Sequence, residues 1–271
     1  MEIVQAELDV MKVEGDSPTI RLFSLLETIS TKDHAFSLQD LVKDTGLPKP
    51  TVHRMLQQLE GAGMLQRDGN GRHYTTGVRL RSLATNLLIN NTYHGARRLV
   101  LRQLMEEVGE SCNLTAFSGS DVVYLDRVET AAPLRFYLHP GSRVPAHCSS
   151  SGKLFLAQMS PAQRRRLLAH VPLTGYTDKT ETDVLKLEQE LVTVRRNGYA
   201  IDNEEFLQGL LCVAVLVPAP FGLSNLAVAI QAPIMRLTLD KALHFLPALQ
   251  RAAQALAAVE AETTQAAETG L

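Results

Sequence analysis

The sequence predicts an α+β protein in two domains, a small helical one that closes on a β-hairpin and a larger α/β one after it. Three observations carry this. The chain has 271 residues, more than a single domain of ordinary size holds. The first eighty residues place apolar side chains at helical spacing and then show one tight hairpin turn. Beyond residue 93, short strand-like apolar runs alternate with helical ones. With 45% hydrophobic and 21% charged residues, the composition is that of a chain able to bury a core.

The first helix follows Ser17-Pro18, with Leu22, Leu25, Leu26 and Ile29 at i, i+3, i+4, i+7. A second starts at Ser37, where Ser37-Leu38-Gln39-Asp40 fits a capping box and Leu38, Leu41 and Val42 form the apolar side. Gly46 ends it in the left-handed conformation that stops helices. A third opens at Pro48-Lys49-Pro50, prolines being tolerated in a first turn. Its apolar stripe, Val52, Met55, Leu56 and Leu59, leaves Lys49, Thr51, His53, Arg54, Gln57 and Gln58 outside. Met64–Arg67 and Arg72–Thr75 flank Asp68-Gly69-Asn70-Gly71, the signature of a hairpin.

Two short helices joined by a glycine turn, the second polar on its outer face, with a hairpin behind them, make a winged helix-turn-helix. A helix fits the major groove, where Arg and Lys read guanine or clamp phosphate and Gln pairs with adenine. The net charge of −2 taken alone argues against nucleic acid, but its distribution does not. From Thr45 to Arg81 six basic residues face two acids, whereas the first sixteen residues carry five acids and Lys12. A docking face alone needs to neutralise phosphates. The expected contacts to double-stranded DNA are Lys49, Thr51, His53, Arg54 and Gln57 on the helix, with Arg67, Arg72 and His73 on the wing.

Residues 77–91 read as an amphipathic helix, ending at Asn90-Asn91-Thr92, and residues 93–108 as another. Strands are expected at Cys112–Ser118, Val122–Val128 and Leu134–Leu138, then at Tyr199–Asn203, Leu211–Pro218 and Asn225–Gln231. Helices are expected at Ser149–Gln158, Pro161–His170 and Glu181–Asn197. One long final helix, Leu237–Glu262, is expected to bend near Pro247.

Several separated motifs resemble one family. The segment Thr45–Leu56, then Leu59-Glu60 and Tyr74, is similar to the DNA-binding module of IclR-type bacterial regulators. Arg143–Lys153, Arg195–Glu205 and Gly209–Ala214 look like that family's effector-domain motifs, in the same order. The resemblance runs from about Thr19 to about Leu256. It implies a helix-turn-helix domain at 17–77, a linker helix at 78–92, and an effector-binding and oligomerisation domain at 93–263 with a fold like GAF and PAS domains. It implies a homodimer or homotetramer on a pseudo-palindromic operator, acting as repressor or activator. It places a small effector, an organic or aromatic acid, at Ser150, Ser151, Asp202, Leu210, Cys212, Ala229 and Gln231. The chain departs from the family where Gly or Ala often stand at Ser150 and Ser151, and small hydroxyl residues at Ala229 and Gln231.

Read as residues alone, Ser150-Ser151-Gly152-Lys153 leaves two readings open. Serines at a helix start suit a carboxylate or a carbonyl, or Ser149 or Ser150 simply caps the helix. The Ser-x-x-Lys spacing occurs in serine acyl-enzymes, so a serine hydrolase using Ser150 and Lys153 is the alternative, but no KTG or SDN partner is present. A protein-docking use of the winged helix is a third reading. Asp202 reads equally as a strand-end residue holding a loop, and Cys212 as core. Of the aromatics, Phe117, Tyr124, Phe136 and Tyr137 are available to line a modest pocket. Cys112, Cys148 and Cys212 are distant from one another and read as reduced thiols, and neither metal nor cofactor is expected. No apolar run reaches the roughly 18 residues of a membrane span, and Met1–Asp9 lacks a signal peptide's pattern. The expectation is a cytoplasmic, non-enzymatic, ligand-responsive regulator of genes for acid catabolism.

Overall fold

The computed structural model describes residues 17–32, 34–68, 71–89, 94–219 and 222–269. The acidic first sixteen residues, the hairpin-turn pair Gly69-Asn70 and the expected boundary Asn90-Asn91-Thr92 lie outside the described residues. The chain divides into two compact units between Asn86 and Leu87.

In the first unit, α1 (Pro18–Ser30), α2 (Leu38–Thr45) and α3 (Lys49–Gly61) precede the hairpin β1 (Leu65–Arg67) and β2 (Tyr74–Thr76). Each boundary has a local cause. The Ser17 hydroxyl accepts from the Ile20 amide at 3.3 Å. Ser37 and Asp40 form the reciprocal capping box, the Ser37 amide donating to Asp40 Oδ2 at 2.8 Å. Gly46 ends α2 with φ 65°, which lets α3 start at Lys49 in a new direction. The apolar stripes meet in one cluster of Leu25, Ile29, Leu41, Val52, Met55, Leu56, Leu59 and Leu65 with Phe36 and Tyr74. Phe36 and Tyr74 exchange both backbone hydrogen bonds, at 3.0 and 2.8 Å. The segment before α2 is thereby stitched to the hairpin, a pairing that period and turn signals do not reveal.

α4 (Val78–Ile89) follows, then α5 (His94–Val108) and a six-stranded antiparallel sheet in the order β5-β4-β3-β8-β7-β6. The strands are β3 (Ser111–Ser118), β4 (Asp121–Val128), β5 (Arg143–Pro145), β6 (Tyr199–Asn203), β7 (Leu210–Leu216) and β8 (Leu226–Pro233). Helices α6 (Ser150–Gln158), α7 (Pro161–Leu168) and α8 (Val184–Asn197) lie between β5 and β6, and α9 (Leu239–His244) and α10 (Leu246–Thr269) follow β8. Strand alternation sorts the side chains into two layers. Leu114, Val123, Leu125, Val213, Val215, Val228 and Ile230 pack against α5 and α10. Ala200, Ala214 and Ala229 pack with Leu154 and Leu156 of α6 and Leu187, Leu191 and Val194 of α8. The alanines on that second face let α6 approach the sheet closely.

Two expectations are corrected. Residues 134–138 form no strand; the sheet's edge strand is Arg143–Pro145 instead. Leu134 and Tyr137 are exposed, and two arginine side chains hold the segment by its carbonyls. Arg236 donates to Leu134 O at 2.7 Å and Arg127 to Phe136 O at 2.8 Å, so no strand ladder is needed. The final helix does not bend but breaks. α9 stops at its cap residue Phe245, and α10 restarts with Pro247 in its first turn, where a proline lacks only an N–H that would be unpaired anyway.

Gly46 is surrounded by open space, so its replacement tests backbone conformation alone. Gly46→Ala is expected to destabilise the N-terminal unit by about 1 kcal/mol, and Gly46→Asn by less. Urea unfolding followed by circular dichroism measures both.

Candidate functional site

The first surface is the outer face of α3. Val52, Met55, Leu56 and Leu59 are buried, so helical geometry turns Lys49, His53, Arg54 and Gln57 outward, where they are exposed, with Thr51 half-buried. The wing is braced from within. Arg67 pairs with Glu60 at 2.9 Å, donates to Gly71 O at 2.8 Å and lies 4.8 Å from the centre of the Tyr74 ring. Its guanidinium therefore holds the hairpin to α3. Asp68 accepts from the Arg72 and His73 amides, both at 3.2 Å, and its other oxygen lies 3.2 Å from His73 Nδ1. The Arg72 side chain projects from the hairpin, exposed. Arg67 and His73 are thus tied into the wing itself, whereas Arg72 and the α3 side chains face solvent.

The second surface is a cavity between the alanine-rich face of the sheet and the start of α6. It is lined by Ser149, Ser150, Ser151, Asp202, Leu210, Cys212 and Ala229, and by Asn113, Thr115, Val122, Tyr124, Val144 and Phe206. It leaves about 10 Å³ for the centre of a water molecule, about one water's room. A larger occupant must push α6, the 204–209 loop or side chains aside.

α6 enters the cavity by its N-terminus because Gly152 lies against the chain before it. A Cβ there would sit 2.2 Å from Ala146 O and 2.3 Å from its Cα, so only glycine permits that approach. Ser149, at the cap position, makes no cap bond; its hydroxyl donates instead to Pro145 O at 2.8 Å. The hydroxyls of Ser150 and Ser151 make no hydrogen bond among the described residues. The helix start is left without a side-chain cap, with a favourable dipole for negative charge.

Lys153, one turn further, is fully buried and lies 2.6 Å from both Glu190 of α8 and Glu205 of the loop after β6. Burial opposes its charge, but the two carboxylates outweigh that and raise its pKa. A lysine held as ammonium has no lone pair with which to take the Ser150 proton, so the pairing gives no support to the hydrolase alternative. Asp202 Oδ1 accepts from the amides of Glu205 and Phe206 at 2.8 and 3.3 Å. Burial, then the charge of Glu205, pushes the Asp202 carboxyl up to about 7. Glu204, in the same turn, is the one non-glycine residue with positive φ (66°) among the described residues. It is pinned by the Gly209 amide and Lys179, a strained turn of the kind found at binding loops. Burial raises the thiol of Cys148 to about 12 and pushes that of Cys212 well above its ordinary value. All three cysteines are buried and form no disulfide.

Six of the seven predicted effector residues line this cavity, and Gln231 does not. Its Oε1 accepts from Arg127 at 2.5 Å and Asn113 at 3.5 Å, directly beyond the lining. Of the aromatics, Tyr124 reaches the cavity, whereas Phe117 packs on Phe155 and Tyr137 is 78% exposed. Sequence reading missed Asn113, Thr115, Val122, Val144 and Phe206, and took Ser149 only as a possible helix cap. The signal was there for Asn113 and Thr115, polar residues alternating with Cys112, Leu114 and Ala116 along one strand. Among the described residues no cluster of His, Cys, Asp and Glu suits a metal ion, and no helix is long and apolar enough to cross a membrane.

Residues 19–69 match the IclR helix-turn-helix domain, and residues 91–258 match the bacterial transcriptional regulator IclR C-terminal family. The chain is 44% identical to the probable transcriptional regulator SauR of Cupriavidus necator, over 90% of this chain and 96% of that one. It is 31% identical to the transcriptional repressor IclR of Escherichia coli, over 83% of each. Its fold matches an IclR homologue from Microbacterium hydrocarbonoxydans complexed with 4-hydroxybenzoate, with a TM-score of 0.55 and 24% identity over 90% of this chain and 98% of that one.

Removing the Lys153 ammonium strands Glu205 in the interior. Lys153→Met is expected to cost about 3–5 kcal/mol of stability, and Lys153→Met combined with Glu205→Gln to recover a large part of it. Denaturant unfolding of the two variants gives the comparison.

Proposed function

The chain belongs to the IclR family of bacterial transcriptional regulators, and we propose that it is a DNA-binding regulator whose C-terminal domain senses a small organic or aromatic acid. The observation that carries the ligand reading is the cavity at the α6 N-terminus. There two serine hydroxyls, with no hydrogen-bond partner among the described residues, meet a buried carboxyl. The proposed division is 17–77 for DNA, 78–92 for the linker and 93–263 for the effector and for self-association, in a dimer or tetramer. Lys49, Thr51, His53, Arg54 and Gln57 enter the major groove, and Arg72, with Arg67 and His73 behind it, follows the backbone. In a dimer the two half-sites lie about 34 Å apart or a multiple of it.

Ser150 and Ser151 receive the acid's oxygens, Leu210, Cys212 and Ala229 form the apolar wall, and Asp202 faces the polar end. Gln231 acts behind the wall, by holding Asn113. The homologue complexed with 4-hydroxybenzoate is consistent with an aromatic monocarboxylate as a candidate. Because the cavity leaves only about one water's room, an occupant binds one arrangement of α6 and the 204–209 loop better than another. That differential affinity shifts the population between spacings of the two DNA-binding heads. The genes controlled are those for using the sensed acid.

The test is a salt-titrated DNA-binding assay on the region flanking the protein's own coding sequence, run with and without a panel of organic and aromatic acids. Specific binding altered by one acid is the expected result, and binding at nonspecific levels throughout overturns the proposal. Arg54→Ala and Arg72→Ala are each expected to weaken DNA binding. Each is also expected to lower the slope of log affinity against log salt, by about 0.9 for every phosphate no longer neutralised. Ser150→Ala is expected to raise the concentration of the active acid needed for half-effect about 10- to 100-fold, as for removal of a hydrogen bond to a charged group.

A further inference from the structure

We infer that an anionic ligand enters this cavity together with a proton, and that Asp202 is the group that takes the proton up. The inference rests on the ligand reading above and adds how the site discriminates. Two parts of the cavity lining make opposite demands on an acid. The α6 start, with the Ser150 and Ser151 hydroxyls, favours negative charge. Asp202, in the same cavity and only 2% exposed, repels it while ionised.

Among the described residues, the surroundings leave Asp202 no cation of its own. From its own loop comes Glu205, and from α8 comes Glu190, both carboxylates. From α6 comes Lys153, at 2.6 Å from each of those two, and from just before α6 comes Cys148. β7 contributes Cys212 and β4 contributes Tyr124, groups that burial keeps neutral by raising their pKa. Arg127, further along β4, is engaged by Gln231, the Phe136 carbonyl and Glu129. Three carboxylates therefore share one ammonium, and two of the three have already claimed it. Glu205 Oε2 is buried with no hydrogen-bond partner among the described residues, which shows how little positive charge remains to distribute.

Asp202 is also oriented for the task. Its Oδ1 is occupied by the amides of Glu205 and Phe206. Its Oδ2 makes no hydrogen bond among the described residues, and this is the oxygen left to carry the proton. In the neutral form it donates an O–H to a ligand oxygen. In the ionised form it presents a lone pair where the ligand also presents one. The upward shift to about 7 puts the two forms near balance at neutral pH. An arriving anion moves that balance further toward the protonated form. The site thereby binds the elements of the neutral acid, and its occupancy rises as pH falls.

The experiment is isothermal titration calorimetry of the full-length protein with acetate, benzoate and 4-hydroxybenzoate between about pH 6 and 8.5, in two buffers of different ionisation enthalpy. The carboxyl groups of all three probes are ionised throughout this range. For a probe that binds, Kd is expected to be nearly flat at the acid end. Above the Asp202 pKa it weakens about tenfold per pH unit, with proton uptake approaching one per ligand. Asp202→Asn is expected to remove both the slope and the uptake. Glu205→Gln takes away a neighbouring charge and is expected to move the bend in the profile to lower pH. A Kd independent of pH, or proton uptake that survives Asp202→Asn, overturns the inference and leaves the ligand reading standing. Failure of all three probes to bind at any pH overturns this inference and the small-acid reading together. Should Asp202→Asn not fold, the wild-type proton count and the Glu205→Gln shift decide the matter.

Discussion

Lys153 sits where α6, α8 and the loop after β6 meet, fully buried, with its ammonium 2.6 Å from a carboxylate on each of the latter two. Every feature of the cavity depends on that arrangement. The ion pairs tie α6 to the 204–209 loop, which carries the amides that orient Asp202. They also fix the turn of α6 whose preceding residues, Ser150 and Ser151, face the cavity. A buried ammonium is tolerable only with close anionic partners, so the lysine dictates the position of both carboxylates. Those carboxylates in turn determine how much negative charge the neighbouring Asp202 can bear. Stability, helix placement and proton affinity at this site follow from one cation.

The approach of α6 to the sheet is the second constraint. Ala200, Ala214 and Ala229 keep the facing strands low, and Gly152 lets the first turn touch Ala146. A helix start brought this close has its dipole and its free amides pointing at a small buried volume. The N-terminal unit uses the same economy of backbone. Gly46 turns α2 into α3, and the Phe36–Tyr74 pairing joins the helices to the wing, so the polar face of α3 is presented from a rigid frame.

Sequence reading recovered what depends on local chemistry. The capping box at Ser37, the αL glycine at 46, the stripe of α3 and the hairpin around Asp68 each reflect interactions within a few residues. Six cavity-lining positions were also legible, through motif resemblance. It failed where distant groups decide. Residues 134–138 alternate like a strand, but Arg127 and Arg236 take their carbonyls, and the sheet edge goes to Arg143–Pro145. The final helix reads as continuous because its composition is uniform, yet it restarts at Pro247. Gln231 reads as a ligand-facing residue through the family resemblance, yet its side chain reaches Arg127 instead.

The sequence by itself determined the order and type of most elements, the polar face of α3 and the family to which the chain belongs, because period, caps and motif spacing are local properties. Tertiary structure alone decided that Asn113 and Thr115 of β3 line the same cavity as Ser150, Asp202, Cys212 and Ala229, residues drawn from a helix and three other strands. It also decided that Lys153 is an ammonium held between two carboxylates and not a base for Ser150. Such outcomes depend on desolvation and on charges up to 52 residues apart in the chain, and the free energy of a charge is set by what surrounds it in space.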